Sequence, residues 1–226
     1  MKRITLGHRI AIALGLGLGP CLGLLIALGA ALAHADTEAS QPRSVGAFHA
    51  VDLAGTLEVQ ITVGKPASVE VSGDADLIDK VVTKVVDGVL VISTPDLRNI
   101  KRRDVHLRAT VTAPDLSSLS LSGTGAMKVT GIANDKLSLH LGGTGALTAA
   151  GTTGALNVDV GGTGEVAAKQ LTAKDVAVDV SGTGSARLHA SRSIDARISG
   201  TGSVHVSGHP QQVKKSVSGL GSIHID

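Results

Sequence analysis

The chain has 226 residues, with 21 Lys+Arg against 19 Asp+Glu, one cysteine, one phenylalanine and no Trp or Tyr. Setting aside the first 35 residues removes Lys2, Arg3 and Arg9 and no acid; 21 minus three leaves 18 basic against 19 acidic residues, a net of about −1, which excludes a basic face able to neutralise many phosphates and argues against nucleic acid. The lack of aromatic faces removes the platforms on which sugars, bases and protein hot spots usually rest, and with Cys21 the only cysteine, thiol catalysis and thiolate metal sites are excluded beyond residue 35.

Residues 1–35 have the layout of a secretory signal peptide. Lys2, Arg3 and Arg9 form a basic start, an uncharged apolar run covers 10–32, and Ala33-His34-Ala35 supplies a small-residue cleavage site before the polar "DTEASQPRS". The alternative is an uncleaved membrane anchor, since the run is long for a signal. Gly15, Gly17, Gly19 and Pro20 interrupt it and favour the signal. Residues 36–44 read as a polar linker.

Residues 45–113 read as an N-terminal β region. "HAVDLAGTLEVQITV" and "ASVEVSG" alternate as strands do, "DADLIDKV" suits a short helix or turn, and "KVVTKVVDGVLVIS" suits a hairpin with Asp87-Gly88 as a type I′ turn. "LAGTLEV" around Gly55 resembles a degenerate copy of the repeat that follows. Arg98, Lys101, Arg102 and Arg103 make a short basic run of the kind that is normally a solvated loop. "RDVHLRATVTAPDL" alternates again.

From residue 114 to 226 one nine-residue pattern recurs six times: "LSGTGAMKV", "LGGTGALTA", "VGGTGEVAA", "VSGTGSARL", "ISGTGSVHV" and "VSGLGSIHI". The glycine pairs are Gly123 and Gly125, Gly143 and Gly145, Gly162 and Gly164, Gly182 and Gly184, Gly200 and Gly202, and Gly219 and Gly221; successive second glycines lie 20, 19, 20, 18 and 19 residues apart. A period near twenty, held this long, indicates a stacked repeat. Around each pair every second residue is apolar, as in Leu137, Leu139, Leu141 and Leu147, or Val176, Val178, Val180 and Ala186. Period two means strands with one buried face. The glycines keep the phase of that face, which marks a bend where a side chain would meet the neighbouring coil or where φ turns positive. One such unit cannot bury its own apolar face, so stacked units share a core. The expected fold is all-β: a β-solenoid, most simply a right-handed parallel β-helix. Open ends of such a stack need covers. Leu220 replaces the threonine in the last copy, as terminal repeats often depart from consensus, and "GHPQQVKK" either ends the stack or interrupts it.

In the order of these parts the chain resembles the head GIN domain family of bacterial exported proteins, also called auto-transporter adhesins. The resemblance covers about residues 46–226 and rests on "FHAVDLAGTLEVQITVGKPASVEVSGDADLIDKVVTKVVDGVLVIS", then "VTAPDLSSLSLSGTGAMKV", the repeated "SGTG", and "GHPQQVKKSVSGLGSIHI". It implies an all-β, β-helix-like fold and an envelope or surface location, and it brings no catalytic residues. Many relatives are lipid-anchored, whereas Cys21, preceded by Pro20, lacks a lipobox.

Chemical readings of the Gly-x-Gly pairs fail on their flanks. A dinucleotide fingerprint needs a third glycine and a following helix; after Gly125 come Ala126, Met127, Lys128 and more strand. The calcium-binding nonapeptide needs Asp where Leu147 and Val166 stand. The period instead predicts outward columns. Ser120, His140, Asp159, Asp179, Arg197 and Ser216 form one. Adjacent Asp159 and Asp179 would share a cation or act as an acid/base pair, against the plainer reading of solvated acids beside Arg197. Lys128, Thr148, Ala167, Arg187, His205 and His224 form another, and His205, His224 and the nearby His209 are candidate zinc ligands, opposed by Arg187. Thr124, Thr144, Thr163, Thr183 and Thr201 form the most regular column, a structural hydroxyl ladder in preference to a face for ordered water.

The function expected is that of a non-enzymatic exported envelope or surface protein, an adhesin or assembly scaffold that presents a solenoid surface. No cofactor and no catalytic residue are assigned. The partner is an envelope or surface component, protein or glycan, with self-association a further option and membrane contact only through residues 1–35. The alternatives are a carbohydrate-active β-helix enzyme using Asp159 and Asp179, and a purely structural periplasmic protein.

Overall fold

The computed structural model describes residues 38–94 and 105–226. The signal-peptide segment, Cys21 and the basic run Arg98 to Arg103 lie outside the described residues. Asp36–Asp226 is one compact unit.

The repeats build four long strands, β9 (Thr124–Leu141), β10 (Thr144–Val160), β11 (Thr163–Val180) and β12 (Thr183–Ile198). They stack in parallel, each copy on the one before: Thr144 pairs with Thr124 and with Thr163, and Thr163 with Thr183. Inward residues therefore fall into columns. Leu137, Leu156, Val176 and Ile194 are one, and Leu139, Val158, Val178 and Ala196 another, all essentially removed from water. Each coil is shared by two sheet faces and bends between them, with the register slipping after Thr148 or Ala149. The fold is thus the expected β-solenoid, with one aliphatic core running through it.

The glycine corner is a backbone device. Gly142 and Gly143 both donate their N–H to the Leu121 carbonyl of the preceding coil (3.0 and 2.9 Å), and Thr144 donates to the Gly123 carbonyl (2.9 Å). The same three bonds recur from Gly161, Gly162 and Thr163, and from Ser181, Gly182 and Thr183. So close an approach leaves no room for a side chain. A Cβ at Gly143 would fall inside contact distance of the Gly123 carbonyl oxygen, and one at Gly145, where φ is +145°, would meet the Gly125 carbonyl oxygen. The obstacle is the preceding coil, and both causes anticipated for the glycines operate.

The N-terminal region joins the same stack out of chain order. β2 (Ala50–Leu53) lies between β6 (Val89–Ser93) and β8 (Ser118–Leu121), parallel to both. β3 (Thr56–Val63) lies between β7 (Leu107–Ala113) and β9, again parallel to both. The first coil in sequence is therefore the second in space, and Thr56 pairs with Thr124 as the degenerate copy around Gly55 requires. Antiparallel strands cover this end. β4 (Ser68–Asp74) pairs with β7, and β5 (Val82–Val86) pairs with β6 through the Asp87-Gly88 turn, where φ is 51° and 75° as a type I′ turn demands. "DADLIDKV" supplies one 3-10 turn, Ile78–Lys80.

The expected linker needs correction. Glu38–Arg43 forms β1, antiparallel to β4 from Glu38 opposite Asp74 to Arg43 opposite Val69. Its polar side chains hid this, because an edge strand needs backbone pairing and little apolar surface. Ser40 donates to Glu70, Gln41 to Asp79 (2.5 Å), and Arg43 Nη2 to the Ile78 carbonyl (2.6 Å). At the other end β13 (Ser203–Ser207) and β15 (Ser222–Ile225) continue one face, and β14 (Gln212–Val217) continues the other. "GHPQQVKK" thus leads into the last coil. Among the described residues nothing covers that coil: Val213, Val217 and Leu220 are exposed.

Candidate functional site

Outward side chains take their places from the same register. Thr124, Thr144, Thr163 and Thr183 form an exposed ridge, joined by Thr56, a member the repeat count missed because Leu57 replaces its second glycine. Thr201 follows, with its N–H on the Gly182 carbonyl (3.0 Å), and Leu220, 89% exposed, ends the ridge.

The second column stands as anticipated: Ser120 beside His140, His140 beside Asp159, Asp159 beside Asp179, and Asp179 beside Arg197. Its ion pairs differ from the anticipated ones. Asp159 Oδ1 lies 3.1 Å from His140 Nδ1, and Arg197 turns to Asp195 (2.6 Å) in its own strand. The two aspartates share a face of adjacent strands but do not line the groove described next.

That groove, of about 430 Å3, crosses β9, β10, β11, β12 and β14. Two registered columns flank it: Lys136, Ala155, Asp175 and Ser193 on one side, and Ser138, Asn157, Ala177, Asp195 and Lys214 on the other. The small side chains of Ala155 and Ala177 open the space. Asp175 is its best-anchored charge. Arg192 Nε donates to Asp175 Oδ1 at 2.7 Å, the Arg192 Nη2 donates to Oδ2, and Ser193 Oγ donates to Oδ1 at 2.6 Å. These bonds to the ionised form, that from Arg192 first, lower the Asp175 pKa from 3.8 to about 2. Sequence reasoning missed this groove because it followed the columns nearest the glycines. The near-twenty period applied to Asp175 and Ser193, or Asn157, Ala177 and Asp195, would have found its walls. A second groove, of about 580 Å3, lies at the covered end beside Glu58, Asp74, His106 and Arg108.

In the third column Arg187 stands beside His205 and His205 beside His224. The two imidazole rings stack with centroids 5.0 Å apart. His205 Nε2 is 3.1 Å from Asp226 Oδ2, and His224 Nε2 is 3.1 Å from Asp226 Oδ1. His209 does not join them; it sits in the turn before β14 with φ +54°. Asp226 takes its place, two residues beyond His224 on the same strand face. Arg187 is engaged by Glu165.

The molecule is thus a β-solenoid with one covered end and repeating outward columns. The family model described as "Putative auto-transporter adhesin, head GIN domain" matches residues 47–210, and the chain belongs to that family. A crystal structure of a "putative adhesin" from Bacteroides fragilis superposes with a TM-score of 0.66 at 22% identity, covering 84% of this chain and 97% of that one. A "putative lipid binding protein" from Parabacteroides distasonis aligns with a TM-score of 0.46 at 20% identity, covering 84% and 96%. A "putative adhesin" from Parabacteroides merdae aligns at 0.45 and 15%, covering 84% and 96%. No curated protein matches the chain. The family and the Bacteroides fragilis structure both carry the name of an adhesin.

Proposed function

We propose that this chain is a non-enzymatic exported protein of the bacterial envelope or surface, whose solenoid holds a rigid array of side chains against an adhesion or assembly partner. Export rests on the basic start, apolar run and small-residue site of residues 1–35. The carrying observation is the groove across five strands, whose walls are columns of Lys136, Asn157, Asp175, Asp195 and Lys214 in strict parallel register. Such a wall offers donors, acceptors and both charges at strand spacing, about 4.8 Å. It suits an extended polar partner, protein or glycan. Asp159 faces His140 at 3.1 Å, and neither Asp159 nor Asp179 lines the groove.

The test is retention of the purified full chain on envelope fractions and intact cells. Retention at micromolar protein is expected, and the groove-filling pair Asn157→Arg and Asp195→Arg should lower it at least tenfold with Tm unchanged. Absence of retention, or retention indifferent to that pair, removes the adhesive reading. Turnover of a cell-wall glycan that Asp159→Asn with Asp179→Asn abolishes would establish the enzymatic alternative instead.

A further inference from the structure

We propose that His205, His224 and Asp226 form a binding site for a divalent transition-metal ion of the zinc class, and that the ion fastens β15 to β13. Three independent features converge on one point. Parallel pairing places His205 directly beside His224, so two imidazoles project from one face of neighbouring strands. The strand alternation places Asp226 on the same face as His224. Both Nε2 atoms lie 3.1 Å from the same carboxylate, one at each oxygen, with His205 hydrogen-bonded to it, and the three groups offer ligand atoms that all lie within 4.8 Å of one another.

The donor set selects the ion. Two imidazole nitrogens and one carboxylate oxygen suit zinc and its neighbours in the transition series, which bind at about 2.0–2.2 Å. They do not suit calcium, which requires six to eight oxygen ligands. With the ligand atoms within 4.8 Å of one another, rotation about χ1 and χ2 of the two histidines would bring both nitrogens onto one ion. The carboxylate that now joins the two imidazoles would then contribute one oxygen, and a fourth position would face solvent. The nearest cation in the column is Arg187, and its charge is met by Glu165.

The position gives the ion a purpose. Among the described residues β15 is the last strand of its face, paired with β13 on one side only. Its inward residues Ile223 and Ile225 are only partly buried. An ion shared between His205 on β13 and His224 and Asp226 beyond it clamps the strand, since binding to the paired state alone stabilises that state.

Zinc is titrated calorimetrically into the chelator-treated full chain, with calcium as the control. The expected result is one saturable zinc site, no calcium binding, and zinc-dependent slowing of hydrogen exchange at the amides of Ser222–Ile225. His205→Ala, His224→Ala and Asp226→Asn should each weaken zinc at least tenfold, while His209→Ala should leave it unchanged. Circular dichroism without metal verifies that each variant is folded. No saturable zinc binding to the folded parent, or a loss as large in His209→Ala as in His224→Ala, overturns the proposal.

Discussion

At the scale of single residues the repeat is governed by what stands one coil below. The position before the first glycine is Ser122, Gly142, Gly161, Ser181, Ser199 or Ser218, because it faces outward away from the neighbouring backbone: a Cβ at Gly161 would meet Ser181 Oγ at 3.7 Å, and one at Gly142 the side chain of His140 at 2.9 Å. One and three residues earlier and later the phase turns inward, and at Gly145 both a positive φ and the Gly125 carbonyl forbid a side chain. Gly161→Ser is therefore expected to leave the urea midpoint unchanged, whereas Gly145→Ala should cost about 3 kcal/mol or more through strain and overpacking. A midpoint equally tolerant of both would refute the corner geometry. The Asp175 carboxyl gives a second check. Its pKa is lowered to about 2, so its contribution to stability is present above the unfolded value near ~4 and is lost as pH falls toward 2. Carbon-detected NMR should find its midpoint near 2 in the parent and shifted up toward ~4 in Arg192→Ala. The pair is partly exposed and lies on the surface, so the change in overall stability should be small. Legibility differs between these residues. The period alone placed His205 next to His224, but Asp226 was overlooked because attention stayed on imidazoles, and His209 was included because proximity in sequence says little once a turn reverses the chain.

At the scale of elements, each strand must fit the one beneath it in volume as well as in register. Across the column that follows the second glycine by two residues stand Met127, Leu147, Val166, Ala186 and Val204, and two residues further on stand Val129, Ala149, Ala168, Leu188 and Val206. Large beside small recurs within a coil: Leu147 with Ala149, Ala186 with Leu188. In those two coils the sum is held while the individual sizes exchange, as dense packing allows. Ala168→Leu adds three carbons at a fully buried position beside buried Val166, and thermal unfolding should show a loss of about 1–3 kcal/mol. Ala168→Leu combined with Val166→Ala should recover most of it. If the double variant is no better than the single, the compensation read from the columns is wrong. Strand elements with alternating apolar residues were legible from sequence for this reason. β1 was not, since Ser40, Gln41 and Arg43 make an edge strand by hydrogen bonding to Glu70, Asp79 and the Ile78 carbonyl, partners that only the fold brings near.

At the scale of the whole molecule, the sequence period reveals that coils stack but not the order in which the first ones do so. From Thr124 onward chain order and stacking order agree, because each coil meets the next after about 19 residues. Before that they part. Ala50 pairs with Val89 below and Ser118 above, and Glu58 with Arg108 below and Ala126 above. No local pattern could report this, because parallel strands carry the same alternation whichever neighbour they meet. The consequence is kinetic. Closing a loop costs entropy that grows with its length, and stacked repeats can begin folding wherever neighbours meet most cheaply and then propagate. β10 meets β9 and β11 across separations of about 20 residues and with the longest parallel registers, whereas β2 and β3 must wait for strands about forty to seventy residues away on both sides. Folding should therefore start within residues 144–180 and close the covered end last. Pulsed hydrogen-exchange labelling during refolding of the full chain should show amides of β10 and β11 protected before those of β2, β3 and β7. Gly145→Ala should then slow folding, while Gly88→Ala, which places a methyl group against the His49 ring in the β5–β6 turn, should mainly speed unfolding. Earlier protection of β3 than of β10 would mean that the interleaved end is the nucleus, and the repeats would then grow from it as a template rather than assemble beneath it.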